Sequence, residues 1–225
     1  MSFRSLRATL MASFALSVVA FAQPNATVDT QYQVRYIANL NLGDSVINIT
    51  NSGARGAGLA SGTSAHTTGA ICVNVYAFSP DEQMISCCSC PVTPNGLVHL
   101  SARRDLVNNT LTPSVPTSLV VKLVASVPLG GTSCSGSAAN WGLLPLPSGM
   151  LAWGTTVHAG ATPGSDAVVT ETQFLPAMLS GAGILPVDIG EARRLQDLCT
   201  FINANGSGFG ICSSCRLGGL GAGRL

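Results

Sequence analysis

The sequence predicts a mainly β fold: an antiparallel β-sandwich, with a barrel as the alternative, stapled by disulfides and carrying one amphipathic helix near its carboxy end. Three observations predict it. Seven short segments rich in β-branched and aromatic residues recur between turn clusters. One later segment places apolar residues at helical spacing. Eight cysteines, an even number, all follow an amino-terminal export signal.

The strand segments come first. "QYQVRYIANL" alternates Tyr32, Val34 and Tyr36 with polar neighbours, and "DSVINITNSG" alternates Val46, Asn48 and Thr50 with Ile47 and Ile49. "ICVNVYAF" (71–78), "GLVHLSA" (96–102), "SLVVKLVAS" (118–126), "MLAWGTTVH" (150–158) and "AVVTETQF" (167–174) complete the set. Each is bounded by Gly, Pro, Asn or Asp, and strands joined by such turns read as a sandwich or barrel rather than an alternating α/β fold. Residues 52–69, "SGARGAGLASGTSAHTTG", form a Gly/Ser/Thr-rich loop with no apolar face.

In "VDIGEARRLQDLCTFINANG", Ile189, Ala192, Leu195, Cys199 and Ile202 recur at steps of three and four. Asp188 is the expected cap with Glu191 as its box partner, and Asn205-Gly206 the stop. The helix turns Cys199 inward.

The cysteines are Cys72, Cys87, Cys88, Cys90, Cys134, Cys199, Cys212 and Cys215. In an exported chain an even count signals a disulfide framework, with ~105 possible connectivities. If the segment around Cys87 and Cys88 is extended, their side chains point to opposite faces and take different partners. The Gly-rich loop between Cys199 and Cys212 suggests a local bridge there. "ISCCSCPVTPNG" then reads as half-cystines leading into a turn at Asn95-Gly96. The competing metal reading gathers Cys87 or Cys88, Cys90, Cys212 and Cys215 around zinc. One half is the C-x₂-C of a zinc knuckle, but the other is an irregular C-C-x-C, and exported thiolates meet oxidising conditions. A catalytic C-x-x-C would open a helix; "ICSSCRLGG" follows one instead.

The export signal is "MSFRSLRATLMASFALSVVAFAQ": Arg4 and Arg7, an apolar run to Ala22, and the small-x-small close Ala20-Phe21-Ala22. It predicts a signal peptide over 1–22, a single β-rich domain over 23–217 and a glycine-rich mobile tail over 218–225. The apolar run is shorter than the ~20 residues of a membrane-spanning helix, and no later segment is long enough without Pro or Gly. The expected location is extracytoplasmic: secreted, periplasmic or at the cell surface. Lys122 is the only lysine, so no basic stripe exists for nucleic acid or an anionic membrane. Charged residues are only 9% of the chain, which leaves a surface of Ser, Thr, Asn and Gly suited to self-association or a cell-surface partner.

No catalytic constellation stands out. "GTSAH" and "GTSCS" lack the final glycine of a nucleophile elbow. His66, His99 and His158 have no second metal ligand at i+2 or i+4. Asp81 and Glu82 read as a polar turn, and Glu171 has no nominated carboxylate partner. Trp141 and Trp153 have the chemistry to stack on a sugar or to fill a β core. Glycosylation sequons begin at Asn25, Asn48, Asn108 and Asn205.

The segments "SPDEQMISCCSCPVTPNGL", "LAWGTTVH" and "GICSSCRLGGLG" resemble those of a group of uncharacterised exported bacterial proteins, over most of the mature chain. The resemblance implies a bacterial, extracytoplasmic setting and no particular activity, ligand or cofactor. The first expectation is thus a non-enzymatic structural or surface-interaction domain without catalytic residues or cofactor. A cysteine-based metal-binding module is the alternative, and a secreted hydrolase with an unrecognised site is the third.

Overall fold

Strand β3 (Ile71–Phe78) is buried at every position, and that fact organises the molecule. A strand exposed to solvent on one face would alternate; a wholly buried one must be covered on both. The computed structural model describes residues 31–56, 69–107, 116–128, 134, 138, 146–162, 165–180, 190–206 and 210–216. The expected export signal, Asp188, Ile189, most of the 52–69 loop and the expected 218–225 tail lie outside them.

Around β3 run β1 (Tyr32–Ile37), β2 (Val46–Asn51), β4 (Met84–Val92), β5 (Leu97–Ser101), β6 (Leu119–Ser126), β7 (Met150–His158), β8 (Val168–Gln173), β9 (Leu175–Pro176) and β10 (Gly210–Ile211). One sheet has the order β10-β4-β3-β6-β1-β9 and the other β5-β2-β7-β8. All pairs are antiparallel except β10 with β4. The two sheets keep separate edges, so the sandwich is the fold and the barrel alternative is set aside.

Alternate side chains of the central strands fill the space between the sheets, while β8 is exposed along its whole length. Val73, Val75, Val121 and Leu123 from the larger sheet meet Ile47, Ile49, Leu100 and Ala152 from the smaller. The opposite face of the larger sheet is covered by α1 (Glu191–Ala204), whose Ala192, Leu195, Cys199 and Ile202 pack with Tyr32, Tyr76, Phe78 and Cys87. The result is three layers: helix, six-stranded sheet, four-stranded sheet.

All seven expected strands are present; the two-residue β9 and β10 were not expected, and the larger omission is β4. Its cysteines and serines masked an alternation in which Cys88, Cys90 and Val92 face the sandwich core while Cys87 faces the helix. Asn95, at φ 61°, makes the expected turn, but it carries the chain from one sheet to the other rather than closing a hairpin.

The helix cap differs from expectation. Gly190 occupies the cap position without a side-chain bond. Instead Ser180, distant in sequence, accepts from the Glu191 N–H with its hydroxyl and from the Ala192 N–H with its carbonyl, both at 3.0 Å. This frees the Glu191 carboxylate to pair with Lys122, whose ammonium also lies 4.8 Å from the centre of the Phe78 ring. The stop is as expected, with Asn205 as cap and Gly206 at φ 81°.

Tyr32 lies beneath this helix start. Burial, and secondarily the charge of Glu191, pushes its phenol up to about 12. A phenol whose folded pKa exceeds its unfolded value of about 10 contributes stability fully below about pH 10 and loses it as pH rises toward 12. Tyr32→Phe is expected to flatten the fall of denaturant-measured stability over that window. An unchanged slope in the variant would contradict the assignment.

Candidate functional site

Strands β5, β2 and β7 of the four-stranded sheet turn one face to the core and leave the other partly exposed, β8 is exposed throughout, and the register of the four strands assembles the candidate site. Asn48 on β2 stands directly opposite His99 on β5 and, on its other side, opposite Trp153 on β7. Trp153 in turn stands opposite Gln173 on β8. Residues directly paired across antiparallel strands share a face, so these four side chains form one row across the sheet. At a strand spacing of ~4.8 Å the row is about 14 Å long. Their immediate strand neighbours, such as Ile49, Leu100 and Ala152, are buried in the core on the opposite face.

Hydrogen bonds order this row. The Asn48 side-chain oxygen can only accept, so the contact at 3.3 Å makes His99 Nδ1 the donor. In the neutral imidazole that makes Nε2 the acceptor nitrogen. The Asn48 amide donates to Glu171 Oε1 at 2.8 Å. Glu171 pairs with Thr155, so this bond arches over β7 beside the Trp153 indole. Among the described residues, Asn48 is the sole hydrogen-bond partner of the His99 side chain. The arrangement offers an aromatic plane flanked by an imidazole, two amides and a carboxylate: binding chemistry for an uncharged ligand rich in hydroxyls.

Arg35 secures β8 from the core side. Its guanidinium crosses from β1 to donate to the Thr172 carbonyl at 3.0 Å and the Thr156 hydroxyl at 3.2 Å. Gly154 makes the passage: a Cβ there would sit 2.5 Å from Arg35 Nε. Burial draws the pKa of this guanidinium down, and the charge of Glu171 opposes the shift.

The other sequence candidates are dispersed. Asp81 lies in the turn between β3 and β4, where the Ser79 hydroxyl holds its carboxyl below the ordinary range. Glu82 adopts a positive φ in the same turn. His158 ends β7 and meets Thr170 at 2.9 Å. His66, Trp141, Asn25 and Asn108 fall outside the described residues. Asn205 is taken up by the helix end, its side-chain amide donating to the Phe201 carbonyl.

The eight cysteines form four bridges: Cys72–Cys134, Cys87–Cys199, Cys88–Cys212 and Cys90–Cys215. Cys87 and Cys88 do take different partners on opposite faces. The expected local bridge between Cys199 and Cys212 is wrong, because the sheet itself separates them. Cys199 packs on the helix side with Cys87, while Cys212 belongs to the sandwich core with Cys88. Sequence reasoning noticed Trp153, Glu171 and His99 one at a time; it missed Asn48 as the residue that joins them and Gln173 as the end of the row. The only local signal was that all five occupy the polar phase of their strands.

No family model, curated protein or solved structure matches the chain. Among the described residues no helix is long and apolar enough to cross a membrane.

Proposed function

We propose that this chain is an extracytoplasmic, non-enzymatic β-domain that holds a neutral glycan on the outer face of its four-stranded sheet. The observation that carries this reading is the in-register row His99–Asn48–Trp153–Gln173, ordered by the bonds through Asn48. A sugar ring presents C–H groups on its faces and hydroxyls on its rim. The first suit the indole plane, and the second suit amides and an imidazole already held in place. The outer face of the larger sheet is covered in part by α1, which leaves Tyr36 exposed at its β1 side. Four disulfides support an oxidising setting. The export signal and the resemblance to exported bacterial proteins support the same setting, with the bacterial surface as the source of the glycan.

The test is binding of the mature protein to an array of bacterial cell-wall and capsular oligosaccharides, followed by calorimetry on the best ligand. Trp153→Ala is expected to weaken binding about 10- to 100-fold, as loss of a central aromatic anchor does. Asn48→Ala, which frees His99 and Glu171 to drift, is expected to weaken it less. Binding that is indifferent to Trp153→Ala, or absent from every oligosaccharide tested, overturns the reading.

A further inference from the structure

A second site lies between β4 and the 212–215 turn, which packs beside β5, and it is independent of the glycan reading. We propose that Cys88, Cys90, Cys212 and Cys215 form a redox-gated metal site: two disulfides when oxidised, and a four-thiolate site for zinc or a similar soft divalent metal when reduced.

Three features of the geometry carry this. Cys88 and Cys90 are two apart on β4 and project from the same face. Cys212 and Cys215 are one helical turn apart, the Cys215 N–H donating to the Cys212 carbonyl at 2.9 Å. The strand pair and the turn pair face each other, and the sulfurs of Cys90, Cys212 and Cys215 already lie within 4.8 Å of one another. The fourth, Cys88 Sγ, is 2.04 Å from Cys212 Sγ. Tetrahedral zinc thiolates at ~2.3 Å from the metal place their sulfurs about 3.8 Å apart. Three of the four sulfurs therefore already stand near that spacing, and Cys88 Sγ, tied to Cys212 but outside that group of three, must swing toward Cys90 and Cys215 once the S–S bonds open.

The scaffold that holds them does not depend on those bonds. β10 pairs with β4 at Cys88 and Ser89, and the Cys212 N–H donates to the Ser89 carbonyl at 3.4 Å. On the other side stands Asp105, fully buried in the π-helical turn Ala102–Val107. Its carboxylate accepts from the Ser214 N–H at 2.7 Å and the Ser214 hydroxyl at 2.6 Å. It also accepts from the Ser101 N–H at 2.7 Å. The 212–215 turn thus stays docked against β4 after reduction.

The chemistry balances with a dithiol reductant supplied from outside. Cys215 is partly buried, whereas Cys88 and Cys212 are wholly so, making Cys90–Cys215 the outer bridge. A reductant thiolate attacks Cys215 sulfur and releases the Cys90 thiolate; the second reductant thiol resolves the mixed disulfide. Cys90, close to Cys212, relays the exchange to the inner bridge, and a second dithiol completes it. Two disulfides gain four electrons and four protons, and two dithiols become disulfides. Zinc then forms four Zn–S bonds and displaces four protons to solvent.

The full mature chain, reduced with a phosphine under argon, is titrated with Co²⁺ and then Zn²⁺. The expected result is one cobalt per chain, with thiolate-to-metal charge transfer and tetrahedral d–d bands, and its displacement by zinc. The oxidised chain is expected to bind none. Cys212→Ser with Cys215→Ser is expected to weaken binding roughly tenfold or more, while Cys72→Ser with Cys134→Ser leaves it unchanged. Absence of cobalt binding by the reduced chain overturns the proposal, as does equal binding by the Cys212→Ser, Cys215→Ser variant. Loss of the β-sheet circular dichroism on reduction overturns it too, because a docked turn is its premise.

Discussion

Removing Cys72–Cys134 by double alanine substitution is expected to destabilise the fold more than removing Cys87–Cys199 or Cys90–Cys215, although it spans the shortest stretch of sequence. The separations are 62, 112 and 125 residues, and taken alone they rank the bridges the other way. Chain entropy depends, however, on the loop each bridge closes while the others remain intact. With Cys88–Cys212 in place, the shortest path between Cys87 and Cys199 runs through that bridge and back from 212 to 199, about 15 residues. The path from Cys90 to Cys215 through the same bridge is about 7 residues. No other bridge shortens the loop between Cys72 and Cys134. The chain-entropy treatment gives losses of about 4 kcal/mol for Cys72–Cys134, about 3 for Cys87–Cys199 and about 2 for Cys90–Cys215. Denaturant unfolding of the three double variants checks the order. A ranking that follows sequence separation would show that the bridges act independently.

Asp105→Ala is the single substitution expected to cost most, about 4 kcal/mol, because it strands three donors that have no other acceptor among the described residues. Asp105→Asn keeps an acceptor oxygen but turns an amide donor toward one of them, and is expected to cost about half as much. Amide exchange localises the effect: protection of the Ser214 N–H should fall in both variants before that of β3. A loss under about 1 kcal/mol for the alanine variant would mean that the disulfides alone hold the 212–215 turn. Asp105 has no local signature in "SARRDLVNN". Its partners are supplied by β5 and by a segment 109 residues away, so only the fold could single it out.

Local order was legible wherever one physical cause acted on neighbouring residues. Short runs of β-branched and aromatic residues between turn clusters marked seven strands, two of them also by alternation, because a half-buried strand repeats every second residue. Helical spacing marked α1, because its apolar stripe must face the larger sheet. The even set of cysteines marked a disulfide framework, and the adjacency of Cys87 and Cys88 dictated that they diverge. Where the pattern depended on remote surroundings, it failed to show. β4 escaped because buried serine and cysteine look polar in sequence yet sit among core side chains. The start of the helix is met by Ser180, eleven residues upstream, and Cys199 turned away from its near neighbour Cys212 because a sheet runs between them. The candidate site belongs to this second kind. His99, Asn48, Trp153 and Gln173 are unremarkable one by one; they become a row only when β5, β2, β7 and β8 adopt that order and register. Periodicity along a strand decides which face a residue occupies, but long-range pairing alone decides which residues share it.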